Sequence, residues 1–174
     1  MKHAAWKRGA AALLVSAALA ACERQPAASQ TPDPLGGLEP GIHPVLVVAA
    51  AEGGAQVELH LRRVQVQGRV ASYQGELRYD ASVLRLRGAQ LPAGVAGAWN
   101  EVEPGRVRFA GAAPGGVPDG AVLTLRFAAS APPVRESFAV AMEEVVAHDF
   151  ADLTASVSRA EHPVFSTAPL AVEQ

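Results

Sequence analysis

"YQGELRYDASVLRLRGAQLP", Tyr73 to Pro92, alternates apolar and polar side chains, breaks at Asp80-Ala81-Ser82, and alternates again from Val83. A period of two marks a strand with one buried face. Extended upstream as "RVASYQGELRY", the first run places Ala71, Tyr73, Gly75, Leu77 and Tyr79 on one face. The second places Leu84 and Leu86 inward, with Arg85 and Arg87 outward. Between them the chain must turn sharply from one region of a β-sandwich to another. Tyr79 is expected to bury its ring at the strand end. Asp80 or Ser82 is expected to accept hydrogen bonds from backbone amides freed in the turn, and Val83 and Leu84 then re-enter the core. This reading of the corner requires no ligand.

The same alternation recurs on either side. "VLVVAA" (Val45–Ala50) is a buried run, and "VELHLRRV" sets Val57, Leu59 and Leu61 opposite Glu58, His60 and Arg62. "GAWNEVE" (Gly97–Glu103) is a weaker candidate. "RVRFAGA" turns Val107 and Phe109 inward and Arg106 and Arg108 outward. "AVLTLRFAA" turns Leu123, Leu125 and Phe127 inward and Arg126 outward. "SFAVAMEEVVA" turns Phe138, Val140 and Met142 inward, and "LTASVS" (Leu153–Ser158) is expected to be the last strand. Gly- and Pro-containing turns such as Glu103-Pro104-Gly105 and Pro118-Asp119-Gly120 separate many of these runs. About nine short strands with one apolar side each predict an all-β, nine-stranded antiparallel β-sandwich with jelly-roll topology.

The N-terminus has a different character. Lys2, Lys7 and Arg8 precede an apolar run from Ala10 to Ala18, too short to span a membrane permanently. The run ends Leu19-Ala20-Ala21-Cys22, which resembles a bacterial lipobox with Cys22, the chain's single cysteine, as the lipidated residue. The alternative is an ordinary signal peptide cleaved near Ala21. The domain reading is a lipoprotein signal-peptide helix over 1–21, a disordered Pro/Gly-rich tether over 22–42, the sandwich over 43–160 and a C-terminal tail over 161–174. By resemblance to lipoprotein sorting in two-membrane envelopes, Glu23 after the cysteine favours an outer-membrane location. Lipidation would make an exported domain a lipid-anchored one, durable with more than one acyl chain.

Loss of the signal removes three of the 15 basic residues, leaving 12 against 17 acidic ones and a net charge near −5. That balance argues against nucleic acid as a partner. With one cysteine no internal disulfide can form. The sequence carries no Gly-x-Ser-x-Gly elbow and no phosphate loop, so no enzyme is expected. His3, His43, His60, His148 and His162 never fall at ligand spacing, so neither metal nor cofactor is expected. His148-Asp149 with Asp152 reads as a polar turn rather than a metal loop.

Six outward arginines, Arg78, Arg85, Arg87, Arg106, Arg108 and Arg126, are the candidate partner-binding face. Sharing one sheet, they would make a basic, hydrogen-bonding surface; the alternative is a solvated face that discourages edge aggregation. Trp99, the one tryptophan beyond the signal, is the candidate glycan contact. Sugars stack on rings, and a single ring is a poor platform, so a rim or core position is the competing reading.

The segment "ASYQGELRYDASVLRLRGAQL" also resembles the early segment of cohesin domains: an alternating strand, Tyr-Asp, two residues, Val-Leu and another strand. "GAQVELHLRRV", "PGRVRFAGA", "DGAVLTLRFAA" and "FAVAMEEVVAHDFADLTASV" resemble further cohesin segments in the same order, from about Val45 to Val157. The resemblance implies a nine-stranded jelly roll in a fold group that includes carbohydrate-binding modules. It implies a non-catalytic module whose partner is a dockerin, a small calcium-binding helical module usually carried by polysaccharide-degrading enzymes. The chain departs from the scaffold pattern in having one copy and no linked enzyme, so the fold carries over further than the partner. Two other functions remain open: a carbohydrate-binding lipoprotein, and a structural subunit of an envelope or secretion assembly.

Overall fold

The computed structural model describes residues 37–51, 53–117, 120–159 and 163–167. Cys22, and the signal and tether up to residue 36, lie outside them. Nine strands follow in chain order: β1 (Gly41–Ala51), β2 (Gly54–Val64), β3 (Val70–Tyr79), β4 (Leu84–Gln90), β5 (Ala96–Glu103), β6 (Arg106–Ala112), β7 (Ala121–Ala129), β8 (Phe138–Ala147) and β9 (Val164–Ser166). They form two sheets, one ordered β4-β7-β2-β1-β9 and one ordered β5-β6-β3-β8. The expected two-sheet sandwich of nine strands is the architecture found. Eight strands pair antiparallel; β9 joins β1 in parallel, Val45 opposite Val164.

The corner at residues 80–83 carries the chain between the two sheets, since β3 lies in the four-stranded one and β4 in the five-stranded one. Asp80 organises it. Its Oδ1 accepts from the Ser82 amide at 2.9 Å and the Ser82 hydroxyl at 2.6 Å, and its carbonyl accepts from the Leu84 amide at 2.9 Å. Ser82 is therefore a donor at this corner and Asp80 the acceptor. The Tyr79 and Asp80 amides are taken by the Gly105 and Ser137 carbonyls, so the donors on the way into the turn are paired.

The core lies between the sheets and is closed by residues from Ile42 to Phe165. Tyr79 packs edge-on against Phe127, which meets Phe138 in the same manner, and Phe138 stacks on Phe165. Tyr73, Leu77, Leu84, Val107, Phe109, Leu123, Leu125 and Phe127 are buried as their alternation requires. β8 follows the expected phase only to Met142. Its pairing with β3 slips between Gln74 and Gly75, where Met142 faces Gly75 and Glu144 faces Gln74. Glu143 is thus the extra residue of a bulge, and beyond it Val145 and Ala147 turn inward. Gly75 allows this crossing: a Cβ there would lie 2.7 Å from the Ala141 carbonyl and 2.9 Å from Phe109 Cζ.

Three boundaries differ from the sequence reading. Residues 153–158 do not form the last strand; Thr154–Ser156 is a 3-10 turn, and Val157 makes one bridge to Ile42. Thr154 Oγ1 bonds the Val145 amide at 3.0 Å, a local bond that competes with strand formation. The ninth strand is instead β9, so the sandwich extends past residue 160 into the segment assigned to the tail. It also begins at Gly41, inside the assigned tether.

Candidate functional site

The outer face of β5-β6-β3-β8 is built by the alternation that buries Tyr73, Leu77, Val107 and Phe109 on its inner side. Register places Ala139, Arg78 and Arg106 in one row, with Glu103 beyond on β5. Ala141, Glu76, Arg108 and Asn100 form the next row, and Glu144, Gln74, Ala110 and Ala98 the third. Alanines on β8, β6 and β5 keep the ends of this face low. Charged residues rise along its middle on β3 and β6.

Those charges are ordered against one another. Glu76, only 8% exposed, accepts from Arg78 Nε at 2.8 Å and from Arg106 Nε at 2.7 Å. Arg106 also donates to Glu103 at 3.2 Å. Arg108 Nη2 donates to both oxygens of Glu143, at 2.9 and 2.7 Å, and Gln74 donates to Glu143 at 2.6 Å. The hydrogen bond from Arg78, with that from Arg106, holds the Glu76 carboxyl below its ordinary range. Gln74 and Arg108 do the same for Glu143. Glu76, with Glu103, pushes the Arg106 guanidinium up. The bulge at Glu143 serves this network, re-aiming a side chain as bulges do.

Two expectations about the arginines are corrected. The six do not share a face: Arg78, Arg106 and Arg108 lie on β3 and β6, whereas Arg85, Arg87 and Arg126 lie on β4 and β7 of the opposite sheet. Nor is the β3–β6 face basic, because Glu76, Glu103, Glu143 and Glu144 accompany its three arginines. Alternation reads "outward" correctly for each strand but does not say toward which side of the molecule. The carboxylates, which the sequence reading passed over, carried a usable signal in Glu76-x-Arg78, two residues apart on one strand face.

Trp99 sits on the edge strand β5 opposite Phe109, so it shares the side of the strand that faces between the sheets. It is 37% exposed, a rim position. On the same side of β5, Glu101 accepts a hydrogen bond from the Tyr79 hydroxyl. His148, Asp149 and Asp152 fall in the turn after β8. The two carboxylates accept the Ala151 and Thr154 amides, so they are used by the turn itself. Among the described residues no group of three or more His, Cys, Asp or Glu could hold a metal ion.

Two sheets in the orders β5-β6-β3-β8 and β4-β7-β2-β1-β9 define the class of fold, a nine-stranded β-sandwich. Solved structures refine it. The sixth cohesin of Acetivibrio cellulolyticus scaffoldin B, solved in complex with a dockerin, aligns with a TM-score of 0.54 and 14% identity over 74% of this chain and 99% of that one. A cohesin of Clostridium thermocellum, solved in a type I cohesin–dockerin complex, aligns at 0.53 and 16% identity over 74% of this chain and 99% of that one. A non-cellulosomal cohesin from the archaeon Archaeoglobus fulgidus aligns at 0.50 and 18% identity, over 68% and 85%. The domain therefore has the cohesin fold. No family model and no curated protein sequence matches the chain.

Proposed function

We propose that this chain is a non-catalytic binding module that docks a protein partner on the outer face of β5-β6-β3-β8. One observation carries the reading: the face is wide and low at its alanine ends, and its tall side chains are held in place by one another. Such a surface loses little side-chain freedom on docking. Its charges of both signs, already bonded, suit a partner that inserts polar groups between Arg78, Arg108 and Glu143. A dockerin-like helical module is the first partner to test, because two of the similar cohesins were solved with dockerins. Any link to polysaccharide handling would then come through the partner. We further propose that Cys22 carries a lipid anchor that holds the domain at the outer membrane.

The test is capture of envelope and secreted proteins on the immobilised chain, with and without chelator, using wild type and Ala110→Arg. Ala110 lies between Gln74 and Ala98, and a long side chain there would stand in the face without touching the core. The reading expects one dominant partner, lost with A110R. It also expects loss with chelator if the partner folds on calcium. Equal capture by wild type and A110R would refute the face. Labelling of the expressed chain by fatty acid, abolished in Cys22→Ser, tests the anchor separately.

A further inference from the structure

We infer that the outer face of the β4–β7 edge is a docking strip for an anionic phospholipid bilayer. The two sheets treat their outward arginines differently. Arg78, Arg106 and Arg108 each hold a carboxylate. Arg85, Arg87 and Arg126 are exposed, and among the described residues none has an ion pair.

Register gathers these three. β4 slips against β7 between Leu86 and Gly88, so Gly88 faces Arg126 and Arg87 is the extra residue beside it. Arg85 faces Ala128, one step along the same outer face. Neighbouring strands lie about 5 Å apart, and two residues span about 7 Å along a strand. Three guanidinium stems therefore rise from one small area. A Cβ on Gly88 would meet nothing within 4 Å, so the ground between Arg87 and Arg126 is open. Glu58 on β2, the acidic residue that register brings closest to Arg126, is bonded to Gln56 at 3.0 Å and to His60 at 3.2 Å.

The chemistry selects a flat polyanion. Guanidinium forks match phosphate oxygens, and arginine is weakly hydrated for a cation. Around Arg126 the outer face offers Gln56, Thr124, Ala128 and Gly88, with none of the large apolar or aromatic side chains that form the centre of a protein–protein interface. Edge protection explains charges on β4, which is an edge strand, but not Arg126, since β7 lies inside the sheet between β4 and β2. A planar array of phosphate headgroups fits the area, the charge and the missing apolar centre together. The strip is on the sheet opposite the proposed partner face, so a domain resting on it would present that face away from the bilayer. The inference stands without lipidation of Cys22, which would add only effective concentration.

The experiment uses the chain from Glu23 to Gln174, which keeps the whole described core, and sedimentation with vesicles at low ionic strength. Vesicles of phosphatidylethanolamine with phosphatidylglycerol are compared with vesicles of phosphatidylcholine. Binding to the anionic vesicles alone is expected, falling as salt is added. Each arginine is worth about a fivefold change in partition, so R85Q/R87Q/R126Q together should cost roughly a hundredfold. Arg108→Gln, on the opposite sheet, should bind vesicles as wild type does. An unchanged melting temperature establishes that the triple variant is folded. Three outcomes overturn the inference: no binding of wild type to anionic vesicles, equal binding by the triple variant, or binding abolished by soluble polyphosphate or an acidic peptide at matched charge concentration, which would assign the strip to a soluble polyanion.

Discussion

Removing the Tyr73 hydroxyl should loosen the two sheets by an amount that depends on pH in a specific way. Tyr73 stands on β3, the strand that carries Gln74, Glu76 and Arg78, and is 2% exposed. Its hydroxyl crosses the sandwich and donates to the Val122 carbonyl at 2.6 Å. Val122 is the extra residue where β7 slips against β2, between Leu59 and His60, and is itself buried. Tyr73→Phe deletes the donor and leaves a buried carbonyl without it. The net loss of a hydrogen bond and the stranding of its acceptor together come to about 2 kcal/mol. For a domain of this size that is a fall of roughly 5–10 °C in Tm. Burial pushes the Tyr73 phenol from 10.0 up to about 12. A group whose folded pKa is raised contributes its full stability below the unfolded value and loses it as pH rises toward the folded one. The gap between wild type and Y73F should therefore be flat up to pH 10 and then close by about 1.4 kcal/mol per pH unit toward pH 12. Tyr79 is present in both proteins and cancels. Urea denaturation of the two proteins from pH 7 to pH 11.5 measures this. A Y73F as stable as wild type at pH 7, or a gap that does not narrow above pH 10, would show that the Tyr73 hydroxyl does not tie the two sheets in this way.

Two other substitutions probe the same framework. Gly111→Ala should destabilise by about 1–3 kcal/mol through overpacking, because a Cβ there would run into the Tyr73 hydroxyl and lie 2.5 Å from Tyr73 Cζ and 2.8 Å from Val95 Cγ1; the double variant with Y73F, measured by the same denaturation, should recover only part of the loss, since the hydroxyl is gone but the ring carbon and Val95 still stand in the way. Glu76→Gln should weaken the fold at neutral pH by removing the anion between Arg78 and Arg106. Because the Glu76 carboxyl is held below 4.5, that deficit should be constant above about pH 5 and disappear as acid takes the wild-type carboxyl through its lowered range. Thermal melts between pH 3 and pH 7 check it.

The strands that alternate were legible in the sequence, and the departures have local causes. β5 was weak because all eight of its positions are exposed: an edge strand with little above it shows no clear contrast between its faces. β9 is three residues long, too short to display a period. Residues 153–158 do alternate, yet the Leu153 amide and Thr154 hydroxyl are drawn to the Val145 backbone, which curls the segment into a turn instead of a strand. In β8 the pattern changes phase at Glu143, and only the pairing with Gly75 explains why a single strand holds two phases. Each miss is a place where a tertiary partner outweighed the local pattern.

The corner at Asp80 accounts for most of what the sequence hid about the site. Arg78 and Arg85 are seven residues apart and both point outward, so on alternation alone they read as one surface. Because the chain changes sheets between them, they emerge on opposite sides of the molecule. Arg78 then meets Glu76, Arg106 and the rest of a bonded network, while Arg85 faces Ala128 and, among the described residues, has no carboxylate partner. The same short turn that specifies the sandwich thus divides one apparent arginine face into a preordered, charge-balanced surface and a small cationic one. Surfaces separated by a full core, with no shared side-chain partner, should respond additively to mutation. A partner-face variant such as A110R and the β4–β7 triple variant should then leave each other's binding untouched. Coupling between them would mean that the two faces are one system and not two independent surfaces on opposite sheets.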